Sequence, residues 1–156
     1  MTDDLPLFPD AKQLQRAFCG EAVVSACPDI IDAAAAMILS HHKRREAVQR
    51  MYQLDMLSYS ELRHVVTEFK TAEVELAALA TVIDEAVAQV LRGRPHISGV
   101  WHTETLGLVV SRLAELWLNY LDSTRHEDAF WVARISDAYN GLVAELMMGR
   151  RLPPDV

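Results

Sequence analysis

The stretch SYSELRHVVTEFKTAEVELAALATVIDEAVAQVL, residues 58 to 91, decides the fold class. Its apolar residues Leu62, Val65, Val66, Phe69, Leu76, Leu79, Ile83, Val87 and Val90 recur every three or four positions, a spacing that gathers them on one side of a helix and scatters them over both faces of a strand. Ser58 followed by Glu61 reads as a capping box, in which the hydroxyl accepts from the backbone amide three residues on and the carboxylate reaches back to the cap amide. Beyond Leu91, Gly93-Arg94-Pro95 offers a residue at ease in a left-handed turn and one that cannot continue a helix. One helix is expected from Ser58 to Leu91, with a loop to about His102.

The same signals recur on either side. Asp10 caps a short helix through Phe18 that ends at Gly20, and Pro28 suits the first turn of a long helix reaching about Arg50. A fourth helix is expected from near Thr103 to about Ser123, with Leu106, Val109, Val110, Leu113, Leu116, Trp117 and Tyr120 inward. Thr124 with Glu127 reads as a second capping box, opening a fifth helix that turns Ile135, Ala138, Leu142 and Leu146 inward and ends at Gly149. Gly107 and Gly141 sit inside helices at a cost of about 1 kcal/mol each relative to alanine, which calls for close helix approach in return. No strand alternation or internal repeat competes. Burying four apolar stripes with short connections predicts an all-α fold, an antiparallel four-helix bundle with a short additional N-terminal helix. Residues 1–9 are expected to form an extended N-terminal segment, 10–149 a single bundle domain and 150–156 a C-terminal tail.

Hydrophobic residues make up 51% of the chain, yet no apolar run approaches the roughly 20 residues of a membrane span. The acidic start Met1-Thr2-Asp3-Asp4 has neither the basic residues nor the apolar centre of a secretion signal, so the expected location is the cytoplasm. Cys19 and Cys27 lack metal-type spacing and read as reduced packing residues. A net charge of -7 disfavours direct nucleic-acid binding, and the basic cluster Lys43-Arg44-Arg45 reads as a solvated helix face.

The sequence offers little catalytic chemistry. Glu61 and His64 have the Glu-x-x-His spacing of carboxylate-bridged metal sites, but they lie away from the face defined by Leu62, Val65, Val66 and Phe69, and no second such pair exists. His41 and His102 point inward on the helical count. With Glu104 they form the alternative metal or acid/base set, against the simpler reading of two buried, hydrogen-bonded imidazoles. Phosphate loops, nucleophile elbows and His-Glu-x-x-His motifs are missing. The expectation is a non-enzymatic protein without cofactor or metal.

Trp101-His102-Thr103-Glu104-Thr105-Leu106-Gly107, Ser111-Arg112-Leu113-Ala114 and the tail Gly149-Arg150-Arg151-Leu152-Pro153 resemble a small helical family of unknown function found in actinobacteria and their phages. The resemblance implies a helical fold and a cytoplasmic setting, and no activity. Where that family carries a Leu-His-Glu-x-Arg-like stretch, this chain has Leu39-Ser40-His41-His42-Lys43-Arg44.

Before the first helix, Leu5-Pro6-Leu7-Phe8 presents three large apolar side chains on backbone that Pro6 and Pro9 keep extended. This segment resembles the short peptides that dock on the bacterial DNA sliding clamp, with Asp4 where those peptides carry glutamine. A protein holding the clamp in this way would block replication. The competing reading is a tether that folds back on the chain's own helices. Met147, Met148, Arg150 and Arg151 form a second candidate contact surface, combining adaptable thioethers with arginine. The sequence is therefore read as a protein-protein interaction module for a bacterial partner, the clamp being the candidate, with homo-oligomerisation as an alternative.

Overall fold

Three of the helices begin on a side chain that replaces a missing backbone partner. The computed structural model describes residues 5–97 and 100–151. Asp10 accepts from the Gln13 amide at 2.8 Å while the Gln13 side chain accepts from the Asp10 amide at 2.9 Å, and helix α1 runs Ala11–Phe18. It closes in a Schellman pair, Gly20 donating to Ala17 and Glu21 to Arg16, with Gly20 at φ +77°. Helix α2, Pro28–Met51, starts on its proline. A short 3-10 turn, Leu54–Met56, leads to α3, Tyr59–Leu91, whose capping box joins Ser58 and Glu61. Helices α4, Leu106–Ser123, and α5, His126–Met147, complete an all-helical chain with no strand among the described residues.

Two helix starts differ from expectation. Helix α4 opens at Leu106 rather than near Thr103 because the Thr105 hydroxyl accepts from the Leu108 amide and fixes the cap there. Thr124 does not cap α5. It closes α4 in the left-handed conformation at φ 52°, and the first turn of α5 draws instead on the Ser123 hydroxyl, which donates to Asp128 and accepts from the Arg125 amide. On α5 the inward position is Tyr139, fully buried, while the neighbouring Ala138 is exposed.

Helix α2 crosses both α3 and α4. Along α2 and α3, Ser40 bonds Glu75 at 3.0 Å, Arg44 pairs with Glu73, and Arg50 bonds Glu68 at 2.9 Å, so the α3 partners descend as the α2 partners ascend. Along α2 and α4 the pairs climb together: His41 with Ser111, Arg44 with Glu115, Arg45 with Asn119 and Asp122. Helices α3 and α4 approach closely at Gly107, where an added Cβ would lie 2.3 Å from the Ala80 carbonyl oxygen. The close approach expected at Gly107 is therefore present. At Gly141 nothing lies within 4 Å, so no intramolecular crossing accounts for that glycine.

Helix α1 is part of the core. Ala11, Leu14, Ala17 and Phe18 are buried together with Ile30, Ala34 and Met37 of α2 and with Val110, Leu113, Tyr139 and Leu142. It is laced to α5 by Ala11 donating to Asn140 and Gln15 to Ser136, both at 2.9 Å. Cys27 packs against this core, whereas Cys19 is exposed and makes no packing contribution of the kind expected. No helix among the described residues is long and apolar enough to cross a membrane.

Candidate functional site

The N-terminal segment divides at Leu7. Leu5 is 44% exposed and Pro6 is exposed, Leu7 is half-buried, and Phe8 falls to 3% exposure inside the core. Behind it Pro9 is fully buried, and its carbonyl accepts from the Tyr139 hydroxyl at 2.8 Å. Burial raises the pKa of that phenol, which keeps it a neutral donor. Phe8 and Pro9 are thus buried with the helical core, where a phenyl ring removes more apolar area from water than one left on an extended leader. Residues 1–4 lie outside the described part.

The end of α5 is pinned as well. Gly149, at φ +67°, donates to Leu146 while Arg150 donates to Glu145, a second Schellman pair. The Ile97 amide donates to the Gly149 carbonyl at 2.9 Å, and a Cβ at Gly149 would meet the Pro95 carbonyl at 2.4 Å. Met147 packs on the core, Met148 and Arg150 are exposed, and Arg151 bonds Glu145 at 3.1 Å. Leu152, Pro153 and Pro154 lie outside the described residues.

The structure does not bring His41, His102 and Glu104 into a metal-holding set; no such group of three ligands exists among the described residues. His102 turns its Nδ1 to the Glu104 carbonyl in its own loop, at 2.6 Å, and the Glu104 carboxylate pairs with Arg112. His41 is buried with Nε2 3.0 Å from Ser111 Oγ. Desolvation lowers its pKa, against the opposing pull of Glu115 and the Ser111 bond, so the imidazole is held toward its neutral form. Glu61 and His64 face outward, as the helical count requires, Glu61 serving the capping box and His64 pairing with Glu68 at 3.3 Å.

His41 belongs to a polar seam between α2, α3 and α4 that the sequence reading missed. Arg44 pairs with Glu73 and Glu115 and lies 5.4 Å from the Phe69 ring centre, while Arg45 pairs with Asp122 and Asn119. Within the basic cluster the two arginines are therefore committed to partners on α3 and α4, while Lys43 stays exposed, as expected, and reaches Glu75 at 3.6 Å. The signal was available as Ser111, Glu115, Asn119 and Asp122, a polar row at helical spacing on α4. Clefts of about 280 and 160 Å³ border His41, below the roughly 300–1,000 Å³ usual for small-molecule pockets. The larger groove between α2 and α3, about 650 Å³, falls within that range and is lined mainly by polar and charged residues, among them Lys43, Glu46, Arg50, Glu68 and Glu75. Chemically the seam offers a hydrogen bond between Ser111 and an imidazole held toward neutrality; its other polar groups hold helices together.

Large apolar side chains, by contrast, stand in solvent at two places. Tyr52, Met56 and Tyr59 are almost fully exposed at the turn between α2 and α3, with Arg63 stacked on Tyr59. On the first half of α5, Phe130 and Trp131 are 53% and 47% exposed, their rings edge to face with centres 5.4 Å apart. Arg134 lies 5.7 Å from the Phe130 ring centre, and Leu121, near the end of α4, is exposed too.

Comparison with family models, with curated proteins and with solved structures finds no match.

Proposed function

We propose that this protein is a non-enzymatic protein-binding module of the cytoplasm, an antiparallel four-helix bundle of α2 to α5 with α1 wedged between α2 and α5. The opposed order of pairs along α2 and α3, and the parallel order along α2 and α4, support that arrangement. One observation carries the functional reading: Phe130 and Trp131 are held side by side and half-exposed on α5, with Arg134 over the Phe130 ring. Aromatic side chains and arginine dominate the energetics of protein interfaces, and a ring already held in place loses little entropy on docking. The polar groups that might serve catalysis are instead consumed by contacts between helices.

A photo-crosslinking residue placed at position 130 tests this in the host cytoplasm, with one at Lys70, an exposed polar position on α3, as control. A discrete protein adduct formed from position 130, absent from position 70 and lost with Trp131→Ala, supports the reading. Equal labelling from both positions refutes it.

A bacterial sliding clamp as partner rests on Leu5 and Leu7, the part of the leader left accessible. Phe8 would have to leave the core to act as the aromatic anchor, and emptying a phenylalanine site costs about 3–5 kcal/mol. Titrating purified clamp separates the routes. Binding abolished by the double change Leu5→Ala and Leu7→Ala, yet kept with Phe130→Ala, favours the leader; no binding by the unmodified protein removes the clamp.

A further inference from the structure

The outer face of α5 is complementary to itself. At roughly 100° per residue, Glu127, Phe130, Arg134, Gly141, Glu145 and Met148 fall within an arc of about 60°. All but the half-buried Glu145 are exposed. Laid antiparallel on a second copy about an axis between Ala138 and Gly141, the stripe brings Phe130 opposite Met148, Arg134 opposite Glu145, and Ala138 opposite Gly141. Glu127, exposed at the start of one helix, then meets the exposed Arg150 at the end of the other. Each pairing occurs twice, as a two-fold interface requires. A parallel pairing would set Arg134 on Arg134 and acid on acid.

Gly141 supplies an independent argument. Within the chain, Gly107 offsets its poor helix propensity by letting α4 approach the α3 backbone, but Gly141 is exposed with nothing within 4 Å. A crossing helix from another molecule would give it the same use. The sulfur of Met148 against an aromatic ring and the opposed Arg134 and Glu145 supply affinity and register.

We propose that the partner of this face is a second copy of the chain, joined through α5 to α5 as an antiparallel two-fold dimer; the inference rests on the aromatic face being a binding surface. Sedimentation equilibrium of the full chain tests it, the expected species being twice 17.5 kDa. Arg134→Glu and Glu145→Arg should each weaken dimerisation by about tenfold or more, since each repeats twice and sets like charges together. The two changes combined should restore it. Circular dichroism should show all three variants folded, because Arg134 is exposed and the half-buried Glu145 side chain gives up a single surface pair, to Arg151. A monomer at every concentration overturns the proposal, as does a dimer indifferent to either single reversal or a combined variant that stays monomeric. In each case a position 130 adduct with a different protein would leave the binding-module reading standing, and absence of any specific adduct would remove that reading too.

Discussion

Changing Gly107 to alanine and Gly141 to alanine should move stability in opposite directions, although both glycines lie inside helices. At Gly107 the new methyl would sit 2.3 Å from the Ala80 carbonyl oxygen and 2.8 Å from two further backbone atoms, about an ångström short of ordinary contact. Backbone cannot rotate away as a side chain can, so α3 and α4 must separate. Overpacking of this kind costs about 1–3 kcal/mol. Separation also strains the bond from the Gly107 amide to Asp84 Oδ1, now 2.7 Å, and a bond to a charged acceptor contributes about 1.5–3 kcal/mol. Set against these is the gain of about 1 kcal/mol from alanine's helix propensity. The net expectation is a loss of about 2–4 kcal/mol for Gly107→Ala. For Gly141→Ala only the propensity gain applies in the monomer, about 0.5–1 kcal/mol. Urea unfolding on the Arg134→Glu background, where self-pairing is suppressed, reads both changes. With a slope of about 2 kcal/mol per molar, the first midpoint should fall by about 1–2 M and the second should rise slightly. A Gly107→Ala protein as stable as its parent would refute the close-approach argument.

The leader and the seam make further predictions. Phe8→Ala should cost about 3–5 kcal/mol in urea unfolding, whereas Leu5→Ala should stay within about 0.5 kcal/mol; equal effects would mean that Phe8 is not anchored in the core. Tyr139→Phe leaves the Pro9 carbonyl without its donor and should lower stability by about 1–2 kcal/mol, with the loss absent if water replaces the hydroxyl. His41 has a folded pKa below its unfolded value, so its contribution is complete above about pH 6.5 and is lost as the pH falls and the unfolded chain takes the proton first. Between about pH 7.5 and 5 the wild-type unfolding free energy should therefore drop more steeply than that of His41→Gln, and parallel curves would contradict the assignment.

What could be read from the sequence followed the range of the interaction concerned. The caps at Asp10 and Ser58 and the turn at Gly20 are contacts within a few residues, and the residue types alone specify them. Thr124 misled because threonine followed by an acid three residues later also fits a chain that closes one helix in a left-handed turn and lets the preceding serine serve the next. Ala138 was placed inward for a similar reason: residues 135, 138, 142 and 146 satisfy helical spacing, but so do 132, 135, 139, 142 and 146, and the buried Tyr139 chose the second set. No local pattern distinguishes them. The deciding partner is the Pro9 carbonyl, on a segment more than a hundred residues away.

The polar residues were harder to interpret because a side chain's type does not say whom it faces. Lys43, Arg44 and Arg45 look solvated on their own helix; only when α4 brings Glu115, Asn119 and Asp122 alongside do the two arginines become ties between helices. That commitment also determines what remains for function. With the arginines of α2 engaged internally and Phe8 held in the core, the surface retains few groups that combine exposure with rigid positioning. Phe130, Trp131 and Arg134 do so on α5, whose outer face also carries an uncovered glycine. A ring fixed in water gains nothing for the fold by staying there, and its burial against another chain releases the apolar area that the monomer leaves exposed.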